Sequence, residues 1–139
     1  METLQVNKVR TKEELESSMA IRKRVFVEEQ GIDPQLEREN EEGAVYFLAT
    51  MDNQPCAACR YRKTQKGYKL ERFAVLKEFR GKRLGQALLA AVLGDIPDDG
   101  QQIYLHALKE AVGLYTRFGF AIEGDQFQEA GIPHYRMVK

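Results

Sequence analysis

A basic, glycine-containing turn between an apolar strand and an amphipathic helix constrains the fold of this chain more than any other feature. The run YKLERFAVL (68–76) alternates like a strand, and the apolar residues that follow recur at helical spacing, which predicts a helix beginning after Gly85 and ending near Gly94. Another strand-like run, QQIYLHAL (101–108), comes next. A strand, a helix and a strand in this order predict a right-handed crossover between parallel strands, whose carboxyl ends commonly bind a ligand.

The remaining segments extend this crossover into a mixed sheet. The predicted elements are, in order, a strand at 4–9, a helix from the capping-box pair Thr11 and Glu14 to near Gly31, a loop with one helical turn at 31–43, strands at 44–51, 56–64 and 68–76, the helix after Gly85, a strand at 101–108, a helix at 109–119 and a final hairpin of two strands across 129–132. The acidic run in 31–43 is typical of a solvated face. We therefore expect an α/β (α+β) fold with a central mixed, mostly antiparallel twisted sheet and helices on both faces.

Composition limits the class of protein. A chain of 139 residues with 43% hydrophobic content suits one domain over 1–139. Its 21 basic and 21 acidic residues balance, so there is no basic field of the kind that holds proteins on nucleic acid. No stretch approaches the roughly 18 apolar residues of a membrane span, and the start lacks a long apolar region. We expect a soluble, cytoplasmic protein with no nucleic-acid or membrane partner.

The two cysteines are predicted to be structural. Cys56 and Cys59 form a lone C-x-x-C, and the chain has only two histidines and no second cysteine pair. A four-ligand metal site therefore has no obvious completion. We expect reduced, structural cysteines and no metal.

The segment before the second long helix has the composition of an anion site. Residues 77–83 carry four cationic side chains against one acidic one, and Gly81 and Gly85 leave the main chain open to close approach. The first N–H groups of a helix lack internal partners and lie at the positive end of its dipole. The spacing of a nucleotide P-loop and the G-x-G-x-x-G fingerprint are both absent. A phosphate group outside a Walker loop or a dinucleotide fold is the predicted ligand.

Two motifs resemble the GNAT superfamily of acyl-CoA-dependent N-acetyltransferases. LERFAVLKEFRGKRLGQALL (70–89) is similar to motif A, [Q/R]-x-x-G-x-[G/A], with Arg83 in the place usually held by the first glycine. EAVGLYTRFGF (110–120) is similar to the second hallmark, A-x-x-x-Y-x-K-x-G-F, with Leu108 where an Asn is often found before it. RKRVFVEEQGI (22–32) and EAGIPHYRM (129–137) resemble the ElaA-like branch.

The resemblance implies acetyl-CoA as the donor. Its pyrophosphate would lie on the N–H groups of 80–85, its pantetheine would run along strand 68–76, and a backbone N–H near Val75 would face the thioester oxygen. The implied donor-binding residues are Phe73, Val75, Arg80, Gly81, Lys82, Arg83, Leu84 and Gly85.

The resemblance also implies direct acyl transfer, with Tyr115 as the general acid. A phenol, with a pKa of about 10, stays protonated at neutral pH and can donate to a thiolate whose conjugate acid has a pKa of about 8.5. The acceptor amine needs a base, and Glu71 is the first candidate because it lies four residues before Val75. His134 is the second candidate. Glu28 and Glu29, at the end of the first helix, are candidate ligands for a cationic substrate, whereas His106 is expected in the core.

The leading hypothesis is an N-acetyltransferase for a small primary amine, which could be an aminosugar phosphate, a polyamine, an amino-acid derivative or a protein N-terminus. A noncatalytic acyl-CoA-binding or sensing module is the alternative, because Arg83 and Leu108 depart from the pattern. A nucleotide-binding domain is a third reading. Many members of the superfamily dimerise, so a homodimer stays open.

Overall fold

The computed structural model describes residues 3–139. The strands are β1 Leu4–Lys8, β2 Val45–Met51, β3 Gln54–Thr64, β4 Gly67–Val75, β5 Ile103–Leu108, β6 Ala121–Ile122, β7 Phe127–Glu129 and β8 Ile132–Val138. The α-helices are α1 Lys12–Arg22, α2 Pro34–Glu37, α3 Leu84–Asp95 and α4 Val112–Arg117. A π-helical extension, Lys23–Glu29, continues α1, and short 3₁₀ turns at Lys77–Phe79 and Lys109–Ala111 precede α3 and α4. The fold is the predicted mixed α/β class, with a mostly antiparallel sheet.

The chain divides into two compact units. The first contains the described residues up to Tyr61 together with Arg72–Ile96, and the second contains Arg62–Glu71 and Pro97–Lys139. None of the helices in the described part of the chain is long and apolar enough to cross a membrane.

In the first unit β1, β2, β3 and the end of β4 are neighbours, with helices on both sides of the sheet. Leu48 of β2 belongs to a cluster with Ile21, Val25 and Phe26 of α1 and its extension. The preceding residue of β2, Phe47, points to the opposite face of the sheet. Its ring stacks on Tyr61, with ring centroids 6.3 Å apart. The Tyr61 hydroxyl donates to Asp95 of α3 at 2.6 Å. These contacts confirm the predicted helices on both faces.

The predicted hairpin after β2 forms, but β3 begins earlier than expected. Asp52 and Asn53 both have positive φ, as a two-residue type I′ turn requires. Pro55, which the sequence placed in the turn, lies in β3 opposite Thr50, where the register shifts at a bulge. A bulge is one of the few places where a strand tolerates a residue without an N–H.

The acidic stretch before β2 is a solvated face only in part: Glu39 and Glu42 are exposed as predicted, but the prediction was wrong for Glu37 and Glu41. Glu37, only 2% exposed, accepts from Nε of Arg22 at 2.6 Å. Glu41 accepts from Nη2 of Arg22 at 2.7 Å and lies 3.0 Å from Nη1 of Arg60. We call Arg22, Glu37, Glu41 and Arg60 the arginine cluster. It links α1, α2 and β3 within the first unit.

In the second unit the start of β4 pairs in parallel with β5, which confirms the predicted parallel pairing of these two strands. β5 pairs antiparallel with β8, and β6 and β7 both pair with β8. The predicted final hairpin of two strands is therefore three strands, because the segment before 129–132 breaks into β6 and β7. Gly67 opens β4 at φ +129, where a Cβ would lie 2.1 Å from the carbonyl oxygen of Gln102. Only glycine allows this close approach between the start of β4 and the residue before β5.

Candidate active site

The turn before α3 is exposed and its backbone is left-handed at two positions. Gly81 has φ +81 and Arg83 has φ +61, and the side chains of 80–83 are exposed. A Cβ placed on Gly81 would meet nothing within 4 Å, so the space above the main chain is open. Arg83 is the N-cap of α3, and its side chain makes no capping hydrogen bond. This geometry fits an anion at the positive end of α3, as the sequence predicts.

Arg83 stands where motif A usually has glycine, and its backbone is in the left-handed region, which favours glycine. A side chain at φ near +60 is strained by contact between its Cβ and the following carbonyl. Because Arg83 is exposed, its guanidinium extends from a fixed backbone position at the helix start. The departure from the pattern therefore keeps the turn and adds a cation to it. The helix α3 begins at Leu84, two residues before the predicted start after Gly85.

The structure brings together two residues that the sequence assigned to different ligands. The guanidinium of Arg80 donates to both oxygens of Glu29 at 2.8 Å, and its Nε donates to the carbonyl of Val75 at 3.1 Å. The hydrogen bond from Arg80 lowers the pKa of Glu29. Arg80 therefore ties the end of the π-helical extension to the end of β4. Glu28, next to Glu29, is exposed.

The end of β4 carries the two predicted pantetheine contacts. Phe73 and Val75 are half-buried, whereas Ala74 between them is buried in the core. Arg72 precedes them with φ +60, and its guanidinium donates to the backbone carbonyls of Leu36 and Glu37. These bonds hold a left-handed residue within an otherwise extended strand.

In the second unit Glu71, the first candidate base, is buried and bound by two cations. Its side chain accepts from Nε of Arg62 at 2.7 Å and lies 3.2 Å from Nζ of Lys69. Both carboxylate oxygens are thus already engaged. Glu71 would have to exchange a partner before it could take a proton from a substrate.

Tyr115, the predicted general acid, lies in α4 and is 7% exposed. Its ring meets Phe120 edge to face, with centroids 6.1 Å apart. Its backbone carbonyl accepts from the N–H groups of Phe118 and Phe120, which close the helix. The position of the ring is therefore fixed by the end of α4.

His134, the second candidate base, belongs to a group of side chains that sequence reasoning missed. Oε1 of Glu129 lies 3.0 Å from Nδ1 of His106, and Oε2 lies 3.6 Å from Nε2 of His134. The ring of Phe127 stacks on His134 and meets His106 edge to face. We call His106, Glu129 and His134 the histidine cluster. The prediction that His106 lies in the core was wrong. His106 is a partly exposed partner of Glu129.

A tight turn builds the histidine cluster. Ala130 and Gly131 both have positive φ, so β7 and β8 are joined by a two-residue hairpin that places Phe127 opposite His134. Residues two apart on a strand share a face, and Glu129 therefore lies on the same side as Phe127. The hydrogen bond from His106 lowers the pKa of Glu129, and burial opposes it only in part. The carboxylate stays ionised at neutral pH.

Comparison with known proteins decides the family. The family model of the acetyltransferase (GNAT) domain matches residues 7–139. The chain belongs to the GNAT acetyltransferase family. YyaT of Bacillus subtilis is 30% identical over 98% of this chain and 95% of that protein. The uncharacterized N-acetyltransferase YjcF of the same organism is 31% identical over 94% and 95% of the two chains.

The fold of this chain matches that of solved GNAT structures. Escherichia coli ElaA covers 100% of this chain and 99% of its own, with a TM-score of 0.82 and 24% identity. A GNAT acetyltransferase from Elizabethkingia anophelis, solved with acetyl-CoA, has a TM-score of 0.69, with 14% identity over 97% and 94% of the chains. An aminoglycoside 6′-N-acetyltransferase solved with coenzyme A has a TM-score of 0.74, with 12% identity over 97% and 96%.

The cysteines of this GNAT chain are buried thiols. Cys56 and Cys59 are both free, and burial raises the pKa of each thiol, well above its ordinary value at Cys59. A thiol held protonated in this way is a poor nucleophile. Within residues 3–139 no group of three or more His, Cys, Asp or Glu could hold a metal ion.

Proposed function

We propose that this protein is an acetyl-CoA-dependent N-acetyltransferase that transfers an acetyl group directly to a primary amine of a small molecule. The observation that carries the proposal is the exposed, left-handed turn at the start of α3 in a chain of the GNAT family. Such a turn exposes backbone N–H groups and positive charge to an anion. The fold relatives from Elizabethkingia anophelis and the aminoglycoside 6′-N-acetyltransferase were solved with acetyl-CoA and coenzyme A respectively.

The donor would be held by the first unit. The pyrophosphate would lie on the N–H groups of Gly81 to Gly85, with the exposed side chains of Lys82 and Arg83 adding positive charge. The pantetheine arm would lie along Phe73 and Val75. Arg80 would act by bracing this loop through Glu29, or by exchanging Glu29 for a phosphate oxygen.

The chemistry would be carried by Tyr115 and by one base. Once the amine has attacked the acetyl carbon, Tyr115 would donate its proton to the departing thiolate. For the base, the geometry favours His134 over Glu71, because two cations occupy the oxygens of Glu71. Nδ1 of His134 lies 2.7 Å from the carbonyl oxygen of Ile132, which leaves Nε2 as the proton acceptor of the neutral ring.

The test is CoA release from acetyl-CoA with a broad panel of amines. We expect turnover with at least one primary amine and a fall in kcat of about 10²- to 10⁴-fold for Tyr115→Phe. Tyr135→Phe on β8 is the matched control and should keep wild-type activity. Calorimetric titration with CoA should give unchanged affinity for both variants. Full activity of Tyr115→Phe would remove the tyrosine from the mechanism.

A noncatalytic acyl-CoA-binding or sensing role is the second candidate, which the arginine at position 83 leaves open because the family pattern has glycine there. This role predicts CoA binding without turnover for any amine in the panel. The same panel therefore separates the two functions.

A further inference from the structure

The histidine cluster presents one charged group to solvent. The side chain of Glu129 is 45% exposed, whereas those of His106 and His134 are 24% and 10% exposed. A molecule that approaches the cluster therefore meets the carboxylate first. One imidazole lies beside each carboxylate oxygen, and both are less exposed than the carboxylate.

Resting on the function proposed above, we propose that Glu129 binds the acceptor amine as its ammonium ion and that Nε2 of His134 then takes the proton. Primary alkylamines are ammonium ions at neutral pH, because their pKa is about 10. An ionised carboxylate binds such a group by a charge-assisted hydrogen bond. The acceptor class that this site recognises is thus a cationic alkylamine.

The distances suit one ammonium group shared by two acceptors. Oε2 of Glu129 and Nε2 of His134 are 3.6 Å apart, so one N–H₃⁺ group can donate to both. Oε1 is held by Nδ1 of His106 at 3.0 Å, which fixes the plane of the carboxylate. His106 is accordingly a positioning residue. Lys69, whose positive charge acts on Glu129, is itself paired with Glu71 at 3.2 Å.

The proton acceptor is set by the main chain. A carbonyl oxygen can only accept, so the contact with Ile132 keeps a proton on Nδ1 of His134 and a lone pair on Nε2. When Nε2 takes a proton, the resulting imidazolium lies beside the Glu129 carboxylate. The carboxylate thus contacts the ammonium before the transfer and stabilises the imidazolium after it.

The reaction balances with one proton released. The ammonium gives its first proton to His134, and the neutral amine forms a C–N bond to the acetyl carbon as the C–S bond breaks. The nitrogen then loses its second proton to solvent, and the thiolate gains one from Tyr115. Tyr115 and His134 return to their starting states when His134 gives its proton to solvent and Tyr115 takes one from solvent.

The first experiment measures amine binding without acetyl-CoA. The chain has two histidines, both in the cluster, so their ring C–H signals in ¹H–¹³C NMR report on this site alone. We expect n-butylammonium chloride to shift both signals saturably and n-butanol, a neutral analogue, to leave them unchanged. Glu129→Gln should weaken the ammonium response about 10-fold or more. An equal response to butanol, or an unchanged one in Glu129→Gln, would overturn the proposal.

Glu123→Gln is the matched control. Glu123 is also an exposed glutamate of the second unit, 54% exposed, and it pairs with Arg136. It should retain the wild-type response to butylammonium. Loss of the response in Glu123→Gln as well would show nonspecific attraction to the acidic surface, which contradicts a built site.

The second experiment uses the amine that the panel acetylates best. Glu129→Gln should raise KM for this amine at least about 10-fold and leave KM for acetyl-CoA unchanged. His134→Asn can still donate to the Ile132 carbonyl but lacks Nε2, and it should lower kcat by about 10²-fold or more. Unchanged amine kinetics in both variants would overturn this inference while leaving the acetyltransferase function intact. An absence of turnover in the wild type would instead overturn the proposed function, and the NMR titration would still decide whether Glu129 binds an ammonium.

Discussion

The arginine cluster of the first unit and the histidine cluster of the second unit both surround glutamates, but they differ in burial and in the partner cation. Glu37 is 2% exposed and is paired with Arg22, whose guanidinium keeps its proton in any folded protein. Glu129 is 45% exposed on its side chain and is paired with histidines, whose rings can both donate and accept a proton. The first arrangement can only hold elements together, whereas the second can move a proton. Burial and partner type together distinguish a structural carboxylate from a functional one.

The most damaging change should be Glu37→Gln. Removing one charge from a buried pair leaves Arg22 partly uncompensated, and we expect the free energy of unfolding to fall by about 3–5 kcal/mol. Urea denaturation of both proteins measures it. Glu78→Gln, which breaks the exposed pair with Arg24, is the control and should denature like the wild type. A loss for Glu37→Gln of less than about 1 kcal/mol would mean that the buried pair does not differ from a surface one.

Acid should weaken the arginine cluster through Glu41. Burial alone would raise the pKa of Glu41, but hydrogen bonds from Arg22 and Tyr46 outweigh it and hold the pKa below the ordinary value of 4.5. A lowered folded pKa stabilises the protein above the unfolded pKa, and this stabilisation is lost as pH falls through the folded value. Glu41→Gln should therefore unfold more easily at neutral pH, by about 1–3 kcal/mol, and lose less stability on acidification. Urea midpoints from neutral pH down to roughly pH 3 give both slopes. Equal slopes for the wild type and Glu41→Gln would mean that protonation of Glu41 does not weaken the folded state in acid.

Local patterns predicted much of the first unit but not its arginine cluster. The capping box at Thr11 and Glu14 forms as expected, because each of its contacts lies within one helical turn. Glu37 was misjudged because its partner, Arg22, lies 15 residues earlier and is brought near only by the folded loop. The π-helical extension was also invisible, since its i to i−5 bonds, such as Gln30 N–H to Val25, have no sequence pattern of their own.

The candidate site shows the same division. The turn before α3 could be predicted as an anion site because its glycines and cationic residues lie within a few positions of one another in the sequence. The left-handed backbone at Arg83 became visible only in the structure. Tyr115 and Glu71 came from the resemblance and His134 from the acid–base chemistry of imidazole, and the roles of all three stay predictions. Glu129 was missed because it becomes a partner of His134 only through the register of the β7–β8 hairpin. The dipeptide Ala130-Gly131 was the available signal for that register, since a two-residue turn at this point aligns Phe127 with His134.

Glu129→Gln should have the smallest effect on stability, and this makes it the sharpest test of the comparison. Its carboxylate is half-exposed, so solvent screens its ion pairs, and we expect the free energy of unfolding to change by less than about 1 kcal/mol. The hydrogen bond from His106 lowers the pKa of Glu129, so what little it contributes is present above the unfolded pKa and is lost as pH falls through the folded value. Urea denaturation at neutral pH beside Glu37→Gln gives the contrast directly. If Glu129→Gln destabilised the protein as much as Glu37→Gln does, the histidine cluster would be a structural element like the arginine cluster. A nearly unchanged free energy of unfolding together with a weakened ammonium response would instead mean that Glu129 binds the ammonium ion and does not stabilise the fold.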